Sequence, residues 1–315
     1  MPTEEYTPLL DRADAVQRAT PLIEASSPLL RELVNHACWA FRRCIAASDN
    51  LGNENEDTAP FVLYRHLIEL VDGIETLFSA SCVDAAVPLL RSAFEASLSL
   101  DYILQDNYAQ RSLSWTCGYV HARIAAHQRL DGNTSAGRDM AAAWSRENTH
   151  GIDLVPTPYD SVDPVAKLNV VLGRPGLQPI EAEYQRLLQQ RGRRGPPEWF
   201  QLFDGPANRR QLAMVVGREA EYLSLYGEWS NFSHGADASP YLRAGAQPGE
   251  AAFLAVRSPH NIQHRAALAV GMMVRSTRQV IGHFRHGEDL SAWYNREIRG
   301  GWNDLRRLRV NVGDE

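Results

Sequence analysis

Leu89-Leu90-Arg91-Ser92-Ala93-Phe94-Glu95-Ala96-Ser97-Leu98-Ser99-Leu100 reads as a helix that is apolar around much of its circumference yet carries charge. Its apolar residues return at spacings of three and four, the period of an amphipathic helix and not of a strand. Arg91 and Glu95 stand one turn apart beside Val87, Leu98 and Tyr102, whereas Ser92 and Ser99 point elsewhere. Both charges therefore face a packed neighbour. At this i,i+4 spacing an exposed ion pair contributes only about 0.3–0.5 kcal/mol, but in a buried face either partner left alone costs several times more. Two readings stand. The pair is a structural bridge that fixes helix register, or Arg91 holds an anionic group while Glu95 orients it or moves a proton.

The same period extends outward in both directions, and strict alternation over strand lengths is almost absent, so the fold class is all-α. The pattern predicts a helix over Leu9 to Arg18 and a second over Pro28 to Ala47, with Leu30, Leu33, Val34, Ala37, Phe41 and Ile45 on one face. Ser48 to Ala59 has loop composition. A helical hairpin follows, Phe61 to Ala80 and Ala85 to Gln105 around a turn at Ser81 to Asp84, then a long helix Tyr108 to Leu130. Short connections make such neighbours antiparallel. From Asp131 to Asn208 glycine and proline leave room only for short helices; strong periodicity returns over Arg209 to His234, Asn261 to His286 and Leu290 to Arg309. The expectation is an antiparallel helical bundle: residues 1–57 as N-terminal helices and linker, and 58–315 as the core with a loop-rich helical insertion at 131–208.

Composition bounds the rest. A chain of 315 residues holds one or two domains, and its net charge of −6 offers no global attraction to a phosphate backbone. Lys167 is the only lysine, so 31 of the 32 cations are arginine, and any cationic site is built from guanidinium groups suited to phosphates and carboxylates. Cys38, Cys44, Cys82 and Cys117 fall at irregular spacings without a C-x-x-C motif and read as reduced thiols. The amino terminus lacks the basic and apolar regions of a signal peptide, and the longest apolar stretch, Ala266 to Val274, is about half a membrane span. The expectation is a cytoplasmic protein with no membrane segment. A homodimer would cover Ala266 to Val274; so would the monomer core.

A second fragment, Tyr226-Gly227-Glu228-Trp229-Ser230-Asn231-Phe232-Ser233-His234-Gly235, sets polar groups into another apolar helix. Leu225, Trp229 and Phe232 form its stripe, Tyr226 and Ser233 lie on the edge, and Ser230 and His234 follow one turn apart. Gly235 reads as a helix stop, which places His234 where the helix dipole favours an imidazolium. A hydroxyl and an imidazole at this spacing can share a hydrogen bond. A capping or core histidine fits the same pattern.

R-S-x-x-E in an apolar helix after a helical hairpin, followed far downstream by Y-x-x-x-S-x-x-x-H-G, resembles a widespread bacterial family catalogued as a domain of unknown function. The likeness spans Phe61 to His286. That family is similar in outline to HEPN (higher eukaryotes and prokaryotes nucleotide-binding) helical proteins, many of them metal-independent ribonucleases or toxins. The expected site gathers Arg91, Glu95, Ser230 and His234 as catalytic residues at a helix-helix seam, with Tyr226 and Ser233 in binding; HEPN-likeness implies RNA as partner, and a non-catalytic module would bind a small anionic ligand instead. The HEPN hallmark is an arginine separated from a following histidine by four to six residues, and this chain departs from it. Trp229, Glu228 and Gly227 precede His234, so Arg91 would supply the guanidinium from another helix. Arg31 with His36, Arg257 with His264 and Arg278 with His283 match the hallmark, but 31 arginines and ten histidines produce about that many matches by chance.

Other chemistries lack their motifs. Glu147 to His150 is the only E-x-x-H, where a di-iron bundle needs two; no H-E-x-x-H, P-loop or G-x-S-x-G occurs; and His121 and His127, six apart, share a helical face poorly. No metal or cofactor is expected. The clusters at Arg191 to Arg194 and Arg306 to Arg309 read as solvated surface. Two functions follow: a ligand- or partner-binding module, such as a sensor in a bacterial stress or defence system, or a HEPN-like ribonuclease or toxin.

Overall fold

The computed structural model describes residues 10–48, 56–147, 159–226, 229, 242–244, 251–253, 256–257 and 259–308. The class is all-α: α1 (Arg12–Ala47), α2 (Thr58–Ser79), α3 (Val87–Gln105), α4 (Tyr108–Leu130), α5 (Ser135–Glu147), α6 (Val162–Leu172), α7 (Gln178–Arg191), α8 (Arg209–Val215), the single turn α9 (Glu219–Glu221), α10 (Ile262–Phe284), the turn α11 (Ser291–Trp293) and α12 (Arg299–Arg307). The strand structure described is one short antiparallel pair, β1 (Leu242–Ala244) with β2 (Ala251–Phe253), in the register Leu242 to Phe253.

Two expectations are corrected. The first two helices are one, since α1 runs for 36 residues through Pro21 and Pro28. Both prolines are exposed, and the carbonyls they leave unpaired belong to the exposed residues Gln17 and Glu24, where water reaches them. The buried stripe Ala15, Ala19, Leu22, Ser26, Leu30, Leu33, Ala37 and Cys44 continues unbroken past both, so packing holds the helix together. The run from Arg209, in contrast, breaks early. Gly217 takes φ +72°, its N–H reaches the Met214 carbonyl (3.0 Å) and that of Arg218 the Ala213 carbonyl (2.7 Å), the paired bonds of a Schellman stop.

Backbone contacts divide the chain into two units, 1–49, 60–105 and 213–315, and 50–59 with 106–212. In the first, α1, α2, α3 and α10 share a core. Phe61 stacks on Phe284 with centroids 4.4 Å apart, Phe41 meets Phe61 edge-on, and the buried Tyr64 hydroxyl donates to Thr277 Oγ1 at 2.8 Å. Leu89 fits against Gly73, where an added Cβ would lie 3.2 Å from its Cδ1. The α2–α3 turn closes as a second Schellman stop with Ser81 at φ 55°.

In the second unit α4 is the spine. Cys117 and Val120 on α4 pack with Leu172, Leu177, Ile180, Tyr184 and Leu202. Asp131 at its end ties three helices: Oδ1 accepts from Asn133 N (2.9 Å), and Oδ2 accepts from Ser161 N (3.0 Å) and Ser161 Oγ (2.6 Å). These donors, Ser161 first, hold the Asp131 carboxyl down at about 2.

Candidate functional site

The structure joins Arg91 and Glu95. Arg91 Nε lies 3.4 Å from Glu95 Oε1 along one face of α3, and both side chains are about one-fifth exposed (21% and 24%). Ser230, Ser233, His234 and the side chain of Tyr226 lie outside the described residues. Trp229 is described and buried. Its ring meets that of Phe94 edge-on with centroids 6.3 Å apart, so the second fragment touches α3 one residue from Glu95.

The strongest polar arrangement of this unit lies one and two turns further along α3. Leu90, Phe94, Ser97 and Asp101 share a helical face and all are buried, so α3 turns a hydroxyl and a carboxylate into its own core. The residue that meets them is Arg218, delivered inward by the left-handed Gly217 that ends α8. Its guanidinium, 1% exposed, donates from Nη1 to Ser97 Oγ (2.7 Å) and Asp101 Oδ2 (3.2 Å). Nε and Nη2 grip the Glu221 carboxylate at 3.1 and 2.7 Å, and the group lies 4.8 Å over the Phe94 ring. Arg275 of α10 donates from Nε to the same Asp101 Oδ2 at 2.8 Å.

Asp101 is thus a fully buried carboxyl between two guanidinium groups. Burial pushes it above its usual range, and Arg218 and Arg275 pull it back. Its Oδ1 has no hydrogen-bond partner among the described residues. Ser97 Oγ also meets Ser276 Oγ at 3.1 Å, which completes a polar seam between α3 and α10.

A cavity of about 790 Å³ opens in front of this seam, within the range of small-molecule sites. Arg218, Arg275 and Arg278 supply its cations, Glu221 its carboxylate, and Phe94, Tyr294 and Trp302 its aromatic surface. Arg275 and Arg278 are its solvent-reaching cations, the first 40% exposed and the second exposed. With Asp101 behind the wall, three positive groups face two negative ones, and the Asp289 carboxylate lies within electrostatic reach of Arg278. Gln279 lines the cavity too, and its buried Oε1 has no partner among the described residues. The arrangement can hold an anion, a flat apolar body and a hydrogen-bond donor together.

Two π-helical turns border the space, Tyr222–Tyr226 contributing Leu225 and Tyr294–Ile298 contributing Tyr294. Such turns are rare and frequent at functional sites. The apolar stretch Ala266 to Val274 divides between two environments: Ala266, Ala269 and Met273 are buried in the core, while Ala267, Leu268, Val270, Gly271, Met272 and Val274 line the cavity. Arg278 lines it and His283 does not, so that hallmark pair is not assembled there.

The sequence signal for this site was the Ser97 and Asp101 spacing on the face of Leu90 and Phe94. Arg218 carried no local signal, since its depth follows from the backbone reversal at Gly217. Among the described residues no helix is long and apolar enough to cross a membrane. In comparison with known proteins, a family model described as a family of unknown function matches residues 57–250, more than half of the chain. No curated protein and no solved structure matches it significantly.

Proposed function

The chain belongs to that family, DUF5677, and we propose that this member is a binding module for a small organic anion, seated in the cavity between α3 and α10. The observation that carries the reading is the pair of solvent-reaching guanidinium groups, Arg275 and Arg278, beside an aromatic wall. Arg275 and Arg278 would take a phosphate or carboxylate, the geometry to which planar guanidinium groups are suited. Tyr294 and Trp302 would cover a planar body, and the Gln279 Oε1 would accept a hydrogen bond from it.

Thermal-shift and calorimetric titrations with a nucleoside monophosphate and with benzoate test this. Saturable binding of at least one is expected, weakened about 10- to 150-fold in Arg275→Gln and in Arg278→Gln, the value of one charge-assisted hydrogen bond. Wild-type affinity in both variants, or no binding of either probe, overturns the proposal.

The contact of Phe94 with Trp229 favours a second reading, a HEPN-like metal-independent ribonuclease or toxin in which His234 moves the proton and Arg91 steadies phosphate charge. It expects RNA cleavage that is lost in His234→Ala and in Arg91→Ala. Equal cleavage by wild type and His234→Ala removes it.

A further inference from the structure

We propose that Cys117, His121 and Glu181 form a mononuclear zinc site in the second unit. Cys117 and His121 stand four residues apart on α4, so both side chains project from one face, and Glu181 reaches them from the first turn of α7. The ligating atoms Sγ, Nε2 and a carboxylate oxygen all lie within 4.8 Å of one another. Glu181 Oε2 is the point of convergence, 2.6 Å from His121 Nε2 and 3.4 Å from Cys117 Sγ.

The surroundings hold each group in place. Gln185 Nε2 donates to Glu181 Oε1 at 2.8 Å, which leaves Oε2 turned toward the thiol and the imidazole. His121 stacks flat on Tyr184, with centroids 3.9 Å apart and planes 3° from parallel, so its ring cannot swing away freely. Supporting contacts of this kind orient the ligands of metal sites. A thiolate, an imidazole and a carboxylate together suit zinc, whose bonds to S, N and O of about 2.3, 2.0–2.1 and 2.0–2.2 Å need His121 and Glu181 to part by less than about 1 Å. His121 and Glu181 are 18% and 24% exposed, so solvent reaches the fourth position. On uptake the Cys117 S–H bond is replaced by S–Zn and the proton leaves to solvent.

Full-length protein stripped with a chelator and titrated with Co²⁺, then Zn²⁺, tests the site. We expect one Co²⁺ per chain, a thiolate-to-cobalt charge-transfer absorption, and displacement by Zn²⁺. Cys117→Ser should abolish that absorption and weaken uptake at least about a hundredfold, more than loss of a supporting contact. Glu181→Gln should weaken it comparably while the absorption persists at saturation, which separates a lost ligand from a lost fold. Cys38→Ser and Cys82→Ser should change nothing. Absence of stoichiometric uptake, or an undiminished absorption in Cys117→Ser, overturns the proposal.

Discussion

Arg218→Met is expected to lower the stability of the protein by about 3–5 kcal/mol, the scale for removing one partner of a buried ion pair. The loss comes from what the substitution leaves behind. Asp101 is fully buried and keeps only Arg275, itself 40% exposed, while Ser97 loses its strongest donor. Methionine fills much of the guanidinium's space, so cavity formation is a minor part of the effect. Denaturant unfolding monitored by circular dichroism measures it, and Arg218→Met combined with Asp101→Leu should recover a large share, because replacing a whole buried pair by apolar groups is often neutral. The pH dependence has a defined sign. The Asp101 carboxyl is raised in the folded state, so the native protein binds its proton more readily than the unfolded chain does. Stability linked to it therefore grows as pH falls toward the ordinary carboxylate range, and the Arg218→Met deficit should shrink on acidification. A deficit unchanged from neutral pH to mild acid would show that Asp101 is not its source.

Gly137→Ala is expected to destabilise the second unit by about 3 kcal/mol or more, although helix propensity alone favours alanine by roughly 1 kcal/mol. Gly137 is the third residue of α5, and its N–H donates to Thr134 Oγ1 at 2.9 Å in an N-cap. A Cβ there would lie 1.8 Å from the Asp131 carbonyl oxygen and 2.4 Å from its carbon. Backbone cannot yield as a flexible side chain can. The first turn of α5 has to move away from the end of α4, breaking the cap that joins them. Hydrogen exchange should show lost protection across α4 to α6, and a melting temperature equal to or above wild type would refute the steric account.

The same contrast explains what the sequence disclosed. Periodicity gave α4 to the residue and the α2–α3 hairpin within a few residues, because those helices are long, amphipathic and bounded by ordinary stops. It failed at Pro21 and Pro28, where an exposed position makes a usual helix breaker tolerable, and exposure is a tertiary property. Arg91 with Glu95 was legible as an i,i+4 pair; Arg218 with Asp101 spans 117 residues and was not. Cys117 and His121 stand four residues apart, a spacing that carries no metal signal by itself, and their third partner lies 60 residues beyond His121. Local spacing reveals contacts within one helix, and both proposed sites depend on contacts between helices.

The three cations of the α3–α10 cavity are all arginine, and that choice limits how occupancy can be regulated. A guanidinium holds its charge throughout the pH range in which proteins remain folded. It offers no amine to condense with a carbonyl, so the cavity cannot trap an aldehyde or keto acid as an imine, and lysine acetylation has no purchase on it. Any acid-base control of binding must then act through the ligand's own ionisation or through the buried Asp101 carboxyl behind the wall.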